Sequence, residues 1–274
     1  MPELPEVETI AKGLENHIIG KKISYVKTSD KRLRLPLPAS IYLTLKGKEI
    51  LSIKRRARYI LINLSDNQVM LVHLGMSGKL IYKNKLPNSV AKHDHFIAKF
   101  SDNSCLIYND ARRFGLIDLV SNEEVDNHKM IKNLGPEPLS EEFNADYLQK
   151  EFLNKSMNIK TAMMDNKIVV GVGNIYINES LFESSISPLR PAKSLKLSEL
   201  ELLVNNVKKI LTKAIKLGGS TLRDYVNLNG DVGEFQFDFK VYGRNNEKCF
   251  ICNNIIKRIK QNGRSSFYCK NCQK

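Results

Sequence analysis

The sequence predicts an α+β protein with two architectures in succession: a β-sandwich led by a helix, then a helical domain that closes on a cysteine-bearing β-hairpin. Three observations predict it. Eight short runs rich in Ile, Val and Tyr fill residues 22–120. Beyond residue 140 the apolar residues change to a helical period. Four of the five cysteines fall between positions 249 and 272.

The first element is a helix from Pro5 to about Ile19. Val7, Ile10, Ala11, Leu14 and Ile18 recur at helical spacing, Glu6 and Glu8 suit its positive N-terminal end, and Gly20 stands where a C-terminal cap belongs. The strand runs follow as KISYVKT, EILSIKR, YILINLS, QVMLVHL, GKLIYK, HFIAKFS, SCLIYN and GLIDLV, separated by turn residues. Repeated short strands of this kind pair as an antiparallel sandwich or barrel. Cys105, inside an apolar strand, reads as a buried thiol.

Residues 133–140, NLGPEPLS, carry two prolines and no periodicity and read as a linker after a domain of residues 1–132. The next domain, 141–245, opens with helices over about 141–151 and 156–166. GNIYINESLFES gives a third, and a long fourth ends at Gly218 and Gly219. A segment of weak period at about 219–239 follows, the length at which a loop inside a compact protein tends to be functional. Residues 246–274 form the last segment.

Cys249 and Cys252, then Cys269 and Cys272, make two C-x-x-C pairs separated by sixteen residues. Four thiolates at that spacing close a tetrahedron around one structural Zn2+. Between them Asn262-Gly263 is a strong hairpin signal, so the segment reads as a zinc ribbon. From Lys248 to Lys274 it carries seven Lys or Arg and no acid. Arg264 flanks the turn, where a strand pair could carry it into a groove of DNA.

Charge extends the same theme. Forty-three Lys and Arg against 29 Asp and Glu give a formal charge of +14. That excess repels itself in a folded chain, and its common use is attraction to a polyanion. The N-terminus has neither the basic start nor the apolar core of a signal peptide, and no apolar stretch approaches bilayer length. The expectation is a cytoplasmic monomer with no membrane partner, whose cysteines bind metal rather than form disulfides.

Pro2 and Glu3 precede a helix that Pro5 already starts. Pro2 is small enough for the initiator methionine to be removed, which would expose a secondary amine. An α-amino group titrates near ~7.9, so roughly one in ten is neutral at pH 7, against roughly one in two thousand lysines. Such an amine can attack an electrophilic sugar carbon to give an iminium, with Glu3 moving a proton to or from the sugar oxygen. The plainer reading is a stiffened terminus beside a solvated acid.

MPELPEVET at the N-terminus resembles that of bacterial formamidopyrimidine-DNA glycosylases. The resemblance continues in order through HLGMSG (73–78), KHDH (92–95), ARRFG (111–115), LGPEPL (134–139), GVGNIYINESLF (171–182), VYGR (241–244) and the cysteine quartet. It implies a bifunctional base-excision repair enzyme that removes oxidised purines from double-stranded DNA and nicks the strand by β,δ-elimination. It also implies a helix–two-turn–helix element in the second domain and a lesion-capping loop at about 219–239. By the same resemblance Pro2 is the Schiff-base nucleophile, Glu3 the acid/base, and Arg264 a contact to the lesion phosphates. Met76, Arg112 and Phe114 are the residues pushed into the duplex, two apolar wedges and a partner for the orphaned base. Asn174 is carried over as a backbone contact; Lys155 and Lys160, by charge and position at the preceding helix, read as phosphate contacts, and His93 reads as a backbone contact rather than a metal ligand.

Two positions depart from the family pattern. RRARY places Arg58 where the family usually has a lysine credited with assisting β-elimination. Arginine keeps the charge and can hold a phosphate with two parallel bonds, but it does not readily give up a proton. Lys240 stands where glutamine is common. The rival readings are an endonuclease VIII-like enzyme for oxidised pyrimidines, against which PELPE rather than PEGPE argues, and a noncatalytic zinc-ribbon DNA binder.

Overall fold

The computed structural model describes residues 2–221 and 232–274, which divide into two compact units. The first comprises the described parts of Met1–Lys132 and Gly218–Glu234; the second comprises Asn133–Leu217 and Phe235–Lys274.

In the first unit, α1 (Leu4–Ile18) begins one residue earlier than Pro5 because Glu3, in an extended conformation, serves as the N-cap. Eight strands follow: β1 (Ile23–Thr28), β2 (Ile50–Arg56), β3 (Tyr59–Leu64), β4 (Gln68–His73), β5 (Lys79–Lys83), β6 (Asp94–Phe100), β7 (Cys105–Asn109) and β8 (Leu116–Ser121). They form two antiparallel four-stranded sheets, ordered β1-β6-β7-β5 and β2-β3-β4-β8. One apolar core joins Val7, Ile10, Leu14 and Ile18 of α1 to Ile23, Ile53, Ile60, Val72, Phe96, Phe100 and Tyr108. All eight strand runs read from the sequence are present. The short helix α2 (Ile41–Leu45) was not legible, since five residues are too few to show a period. Cys105 is buried against Ile97 and Ile107, apart from the main core, and burial pushes its thiol up.

In the second unit, α3 (Ala145–Phe152) and α4 (Ile159–Met163) are capped by Asn144 and Asn158, whose side chains each accept an N–H at 2.9 Å. α4 occupies only part of the 156–166 stretch expected to be helical. In α6 (Leu197–Lys216) the buried positions Leu200, Leu203, Val204, Val207, Ile210, Leu211 and Ala214 make one stripe facing α3 and the helix of residues 174–183.

α5 (Asn174–Glu183) has no such stripe, because eight consecutive residues from Ile175 to Phe182 are buried. Its polar side chains are therefore matched to specific partners. Glu179 accepts the N–H groups of Lys240, Val241 and Tyr242 at 2.8, 3.0 and 2.7 Å. Burial still pushes its carboxyl above the usual range, against the pull of those three bonds. Asn178 accepts from the Phe267 N–H at 2.7 Å and so fixes the hairpin of β9 (Lys257–Gln261) and β10 (Arg264–Tyr268) on the helix. Among the described residues no helix is long and apolar enough to cross a membrane.

Candidate active site and nucleic-acid interface

The chain leading into α1 is held more firmly than a terminus usually is. Glu3 and Glu6 are both buried, and Pro2 is half-buried. The Glu3 N–H donates to Glu6 Oε2 at 2.7 Å, while Glu6 Oε1 accepts the Ser220 N–H at 2.7 Å. The Glu6 carboxylate thus joins the residue after Pro2 to Ser220, 214 positions beyond Glu6 in sequence. Gly219 permits it: the backbone there has φ +82°, and an added Cβ would lie 2.9 Å from Glu6 Cγ and Oε1. Two residues later Glu8 Oε2 accepts from Arg55 Nε at 2.6 Å, tying α1 to β2. Sequence reading assigned Glu6 to the helix start alone. The partner residue that gives it a second task cannot be found from local spacing.

Arg58 lies in the two-residue turn between β2 and β3 and is half-buried. Ala57 beside it takes a positive φ of 54°, unusual for a residue with a Cβ. Arg34, exposed in the basic run KRLR, acts with Arg58 on the same neighbours. The His73 imidazole is lowered to about 4, first by burial and then by the charges of Arg58 and Arg34. Both arginines also pull the Tyr59 hydroxyl down, but burial dominates and raises it. Arg34 was missed in the sequence reading; the run of basic residues at 31–34 was the available signal.

Met76 and Phe114 are exposed at 40% and 50%, which is high for large apolar side chains in a well-packed unit. Arg112 is also exposed, and its guanidinium carbon lies 5.0 Å from the centroid of the Phe114 ring. The loops that carry these residues touch through their backbones. A Cβ placed on Gly75 would lie 2.5 Å from both Gly115 N and Phe114 C. The fold thereby unites Met76 with Arg112 and Phe114. His93 is half-buried nearby in the chain, its carbonyl accepting from the Asp110 N–H at 3.0 Å. His95 is fully buried with its two ring nitrogens engaged by Ser29 Oγ and the Asp110 carbonyl. KHDH does not belong to the one metal-binding cluster found among the described residues.

That cluster is the cysteine quartet. The ligand atoms of Cys249, Cys252, Cys269 and Cys272 all lie within 4.8 Å of one another. The pairs Cys249–Cys272 and Cys252–Cys269 stand 3.9 and 3.4 Å apart. Thiolates about 2.3 Å from a tetrahedral zinc would be about 3.8 Å apart, so the donor set fits one structural Zn2+. The metal would hold the base of the ribbon, while Asn262 (φ 44°) turns its tip and Arg264 begins the returning strand, exposed.

Lys160 differs from expectation. It is 1% exposed, and its ammonium donates to the Ser265 carbonyl at 2.8 Å and to Ser266 Oγ at 2.7 Å. Asn174 Nδ2 donates to the same Ser265 carbonyl at 3.1 Å. The Lys160 ammonium thereby ties α4 to strand β10 of the hairpin. Lys155, half-buried, and Asn174, at the first position of α5, remain at the unit's partly accessible surface.

A sandwich whose paired loops carry exposed Met, Arg and Phe side chains, and a helical unit bearing a basic zinc ribbon, define a nucleic-acid-acting zinc-ribbon protein. Family models agree along the chain: the formamidopyrimidine-DNA glycosylase N-terminal domain matches residues 1–117, the H2TH domain of the same enzymes 134–226, and the zinc finger found in FPG and IleRS 246–274. The chain belongs to the formamidopyrimidine-DNA glycosylase family. It is 50% identical to a formamidopyrimidine-DNA glycosylase of Wolbachia sp. subsp. Drosophila simulans over 273 residues, with 100% of both chains covered. It is 43% identical to that of Dinoroseobacter shibae over 285 residues, again covering 100% of each. Among solved structures it is similar to Lactococcus lactis Fpg in complex with DNA containing an abasic site, with TM-score 0.90, 35% identity and 100% coverage of each chain. It is likewise similar to MutM in complex with DNA containing carbocyclic 8-oxo-G, with TM-score 0.90, 37% identity and 99% coverage of each.

Proposed function

We propose that this glycosylase removes oxidised purines from double-stranded DNA through an amine at Pro2 and then cuts the strand by β,δ-elimination. The observation that carries the reading is the Pro2-Glu3 terminus, fixed through Glu6 at the head of α1. It opens a chain that matches formamidopyrimidine-DNA glycosylases from end to end. Support for the substrate comes from the structural relatives, which are complexes with DNA containing Fapy-dG, carbocyclic 8-oxo-G or an abasic site.

Once Met1 is removed, the neutral Pro2 nitrogen bonds to the sugar C1′ as the base departs with the electrons of the glycosidic bond, and the proton the nitrogen then sheds neutralises the departing base. Glu3 gives a proton to the ring oxygen, the ring opens, and the nitrogen lone pair completes an iminium. Loss of a C2′ proton then expels the 3′-phosphate, and a second elimination along the conjugated chain expels the 5′-phosphate. Arg264 and Arg58 neutralise phosphates; Arg58 can hold one bidentately but does not serve as the proton donor. Met76 and Phe114 fill the space of the extruded base and Arg112 pairs with its former partner. His93, Lys155 and Asn174 hold the backbone, while Lys160 contributes by fixing the hairpin that carries Arg264. Residues 1–132 act as the catalytic domain and the rest as the DNA-gripping domain with its zinc finger, in a monomer working in the cytoplasm. The lesion-capping loop assigned to about 219–239 lies in part, at 222–231, outside the described residues.

Borohydride reduction tests this directly, because it converts the iminium into a stable protein–DNA adduct. A duplex with 8-oxoguanine should give the adduct, and Pro2→Gly should abolish it. A preference for an oxidised pyrimidine would move the enzyme to the endonuclease VIII type. The absence of an adduct with either base lesion or with abasic DNA would refute the Schiff-base chemistry.

A further inference from the structure

Asp110 is a fully buried carboxylate in the first unit that the proposed chemistry does not use. Its Oδ1 accepts from Ser77 Oγ at 2.6 Å and from the Arg112 N–H at 3.2 Å. Oδ2 accepts from the Gly115 N–H at 2.9 Å and from the Tyr108 hydroxyl at 3.4 Å. The main chain of the same residue is equally engaged: its N–H donates to the His93 carbonyl at 3.0 Å, and its carbonyl meets His95 Nε2 at 3.0 Å and the Arg113 N–H at 3.3 Å. Ser77 closes the pattern by accepting the Arg112 N–H at 3.1 Å while donating to Asp110.

These bonds fall on two loops, one carrying Met76 next to Ser77 and the other carrying Arg112 and Phe114. Exposed loop residues ordinarily move on the nanosecond scale, and large apolar side chains at loop tips would fold back onto the surface. Here Arg113 is at φ +56°, a strained value for a residue with a Cβ, and must be held there by its surroundings. A buried carboxylate with four donors converging on it is costly to disturb, since each donor left unmatched loses its compensation for burial.

We infer that Ser77 and the buried Asp110 form a clasp that locks Met76, Arg112 and Phe114 into one preorganised wedge, making both of them positioning residues for base extrusion. The inference rests on the proposed glycosylase reading. Rigid presentation lowers the ordering cost of inserting the wedge into a duplex. Chemistry at an abasic site, where no base has to be extruded, does not need it to the same degree. An amide cannot replace the carboxylate, because its NH2 would face an N–H or O–H donor on one side.

The test compares the parent enzyme with Ser77→Ala and Asp110→Asn, using duplexes with 2-aminopurine beside 8-oxoguanine or beside an abasic site. Fluorescence reports unstacking without any covalent step, and borohydride trapping reports the chemistry separately. For Ser77→Ala the 8-oxoguanine extrusion rate should fall about 10-fold, the expected loss for one bond to a charged group. Trapping on the abasic duplex should stay within about twofold of the parent, a split that a merely structural defect would not give. Asp110→Asn should lose more, and Ser77→Thr, which keeps the hydroxyl, should recover the extrusion rate. The clasp is overturned if Ser77→Ala extrudes the base at the parent rate, or if abasic trapping falls in parallel with extrusion. Should the parent itself form no adduct, the Schiff-base reading fails while the fluorescence still decides the clasp.

Discussion

Single residues in this protein take on roles that their types alone would not announce. His73 is an imidazole held neutral by burial and by two arginines, with its pKa lowered from 6.5 to about 4. The neutral ring suits its Nδ1, which accepts the Gly75 N–H at 3.0 Å at the root of the Met76 loop. In the unfolded chain the imidazole takes a proton near 6.5, whereas the folded protein refuses it until about 4. The unfolded state therefore binds more protons across that interval, and stability falls as pH drops through it, by up to roughly 3 kcal/mol. Above 6.5 the residue contributes no pH dependence. We predict that heteronuclear NMR will find the His73 ring still neutral at pH 5.5; half-titration near pH 6.5 would contradict the burial argument. Glu6 makes the complementary case, a helix-start acid whose second oxygen is committed to Ser220.

At the level of elements, the helix α5 shows why amphipathic pattern is an incomplete guide. It is buried around its whole circumference, so it has no polar face, and Asn178 and Glu179 instead serve as acceptors for neighbouring chain segments. The β9–β10 hairpin is held in the same manner, by Asn178, Asn174 and Lys160. Lysine rarely becomes fully buried unless it is paired. Its value here is the reach of its ammonium to both Ser265 and Ser266. Lys160→Met keeps the aliphatic bulk but removes the donor to both, leaving the Ser265 carbonyl with Asn174 alone, and the predicted loss is about 1–3 kcal/mol of stability. Hydrogen exchange should locate it: residues 257–268 should exchange faster, with β2–β4 unchanged. If Lys160 held only a phosphate, exchange in the free protein would be unaltered and only DNA affinity would drop.

For the whole molecule, the governing quantity is the net charge of +14. An excess of that size drives association by counterion release, so log affinity should fall linearly with log salt, with a slope near −0.9 for each phosphate neutralised. Affinity for undamaged duplex, measured by fluorescence anisotropy across salt concentrations, should show this steep dependence; an affinity indifferent to salt would remove the electrostatic reading. The zinc ribbon, the eight strands and the long helix α6 were all legible in the sequence. Local signals set them: cysteine spacing, strand runs bounded by turns, and a heptad-like apolar stripe. For the Pro2-Glu3 pair the sequence supplies the proposed chemistry directly, because a free secondary amine would carry its reactivity into any fold. What the sequence could not disclose were the long-range pairings: Glu6 with Ser220, Asp110 with Ser77, and Lys160 with the hairpin. Each joins polar groups whose pairing is decided by which donors and acceptors the core leaves unmatched. Composition and period determine which elements form. Only the packed tertiary structure determines which buried charge satisfies which segment, because that depends on distances no local pattern encodes.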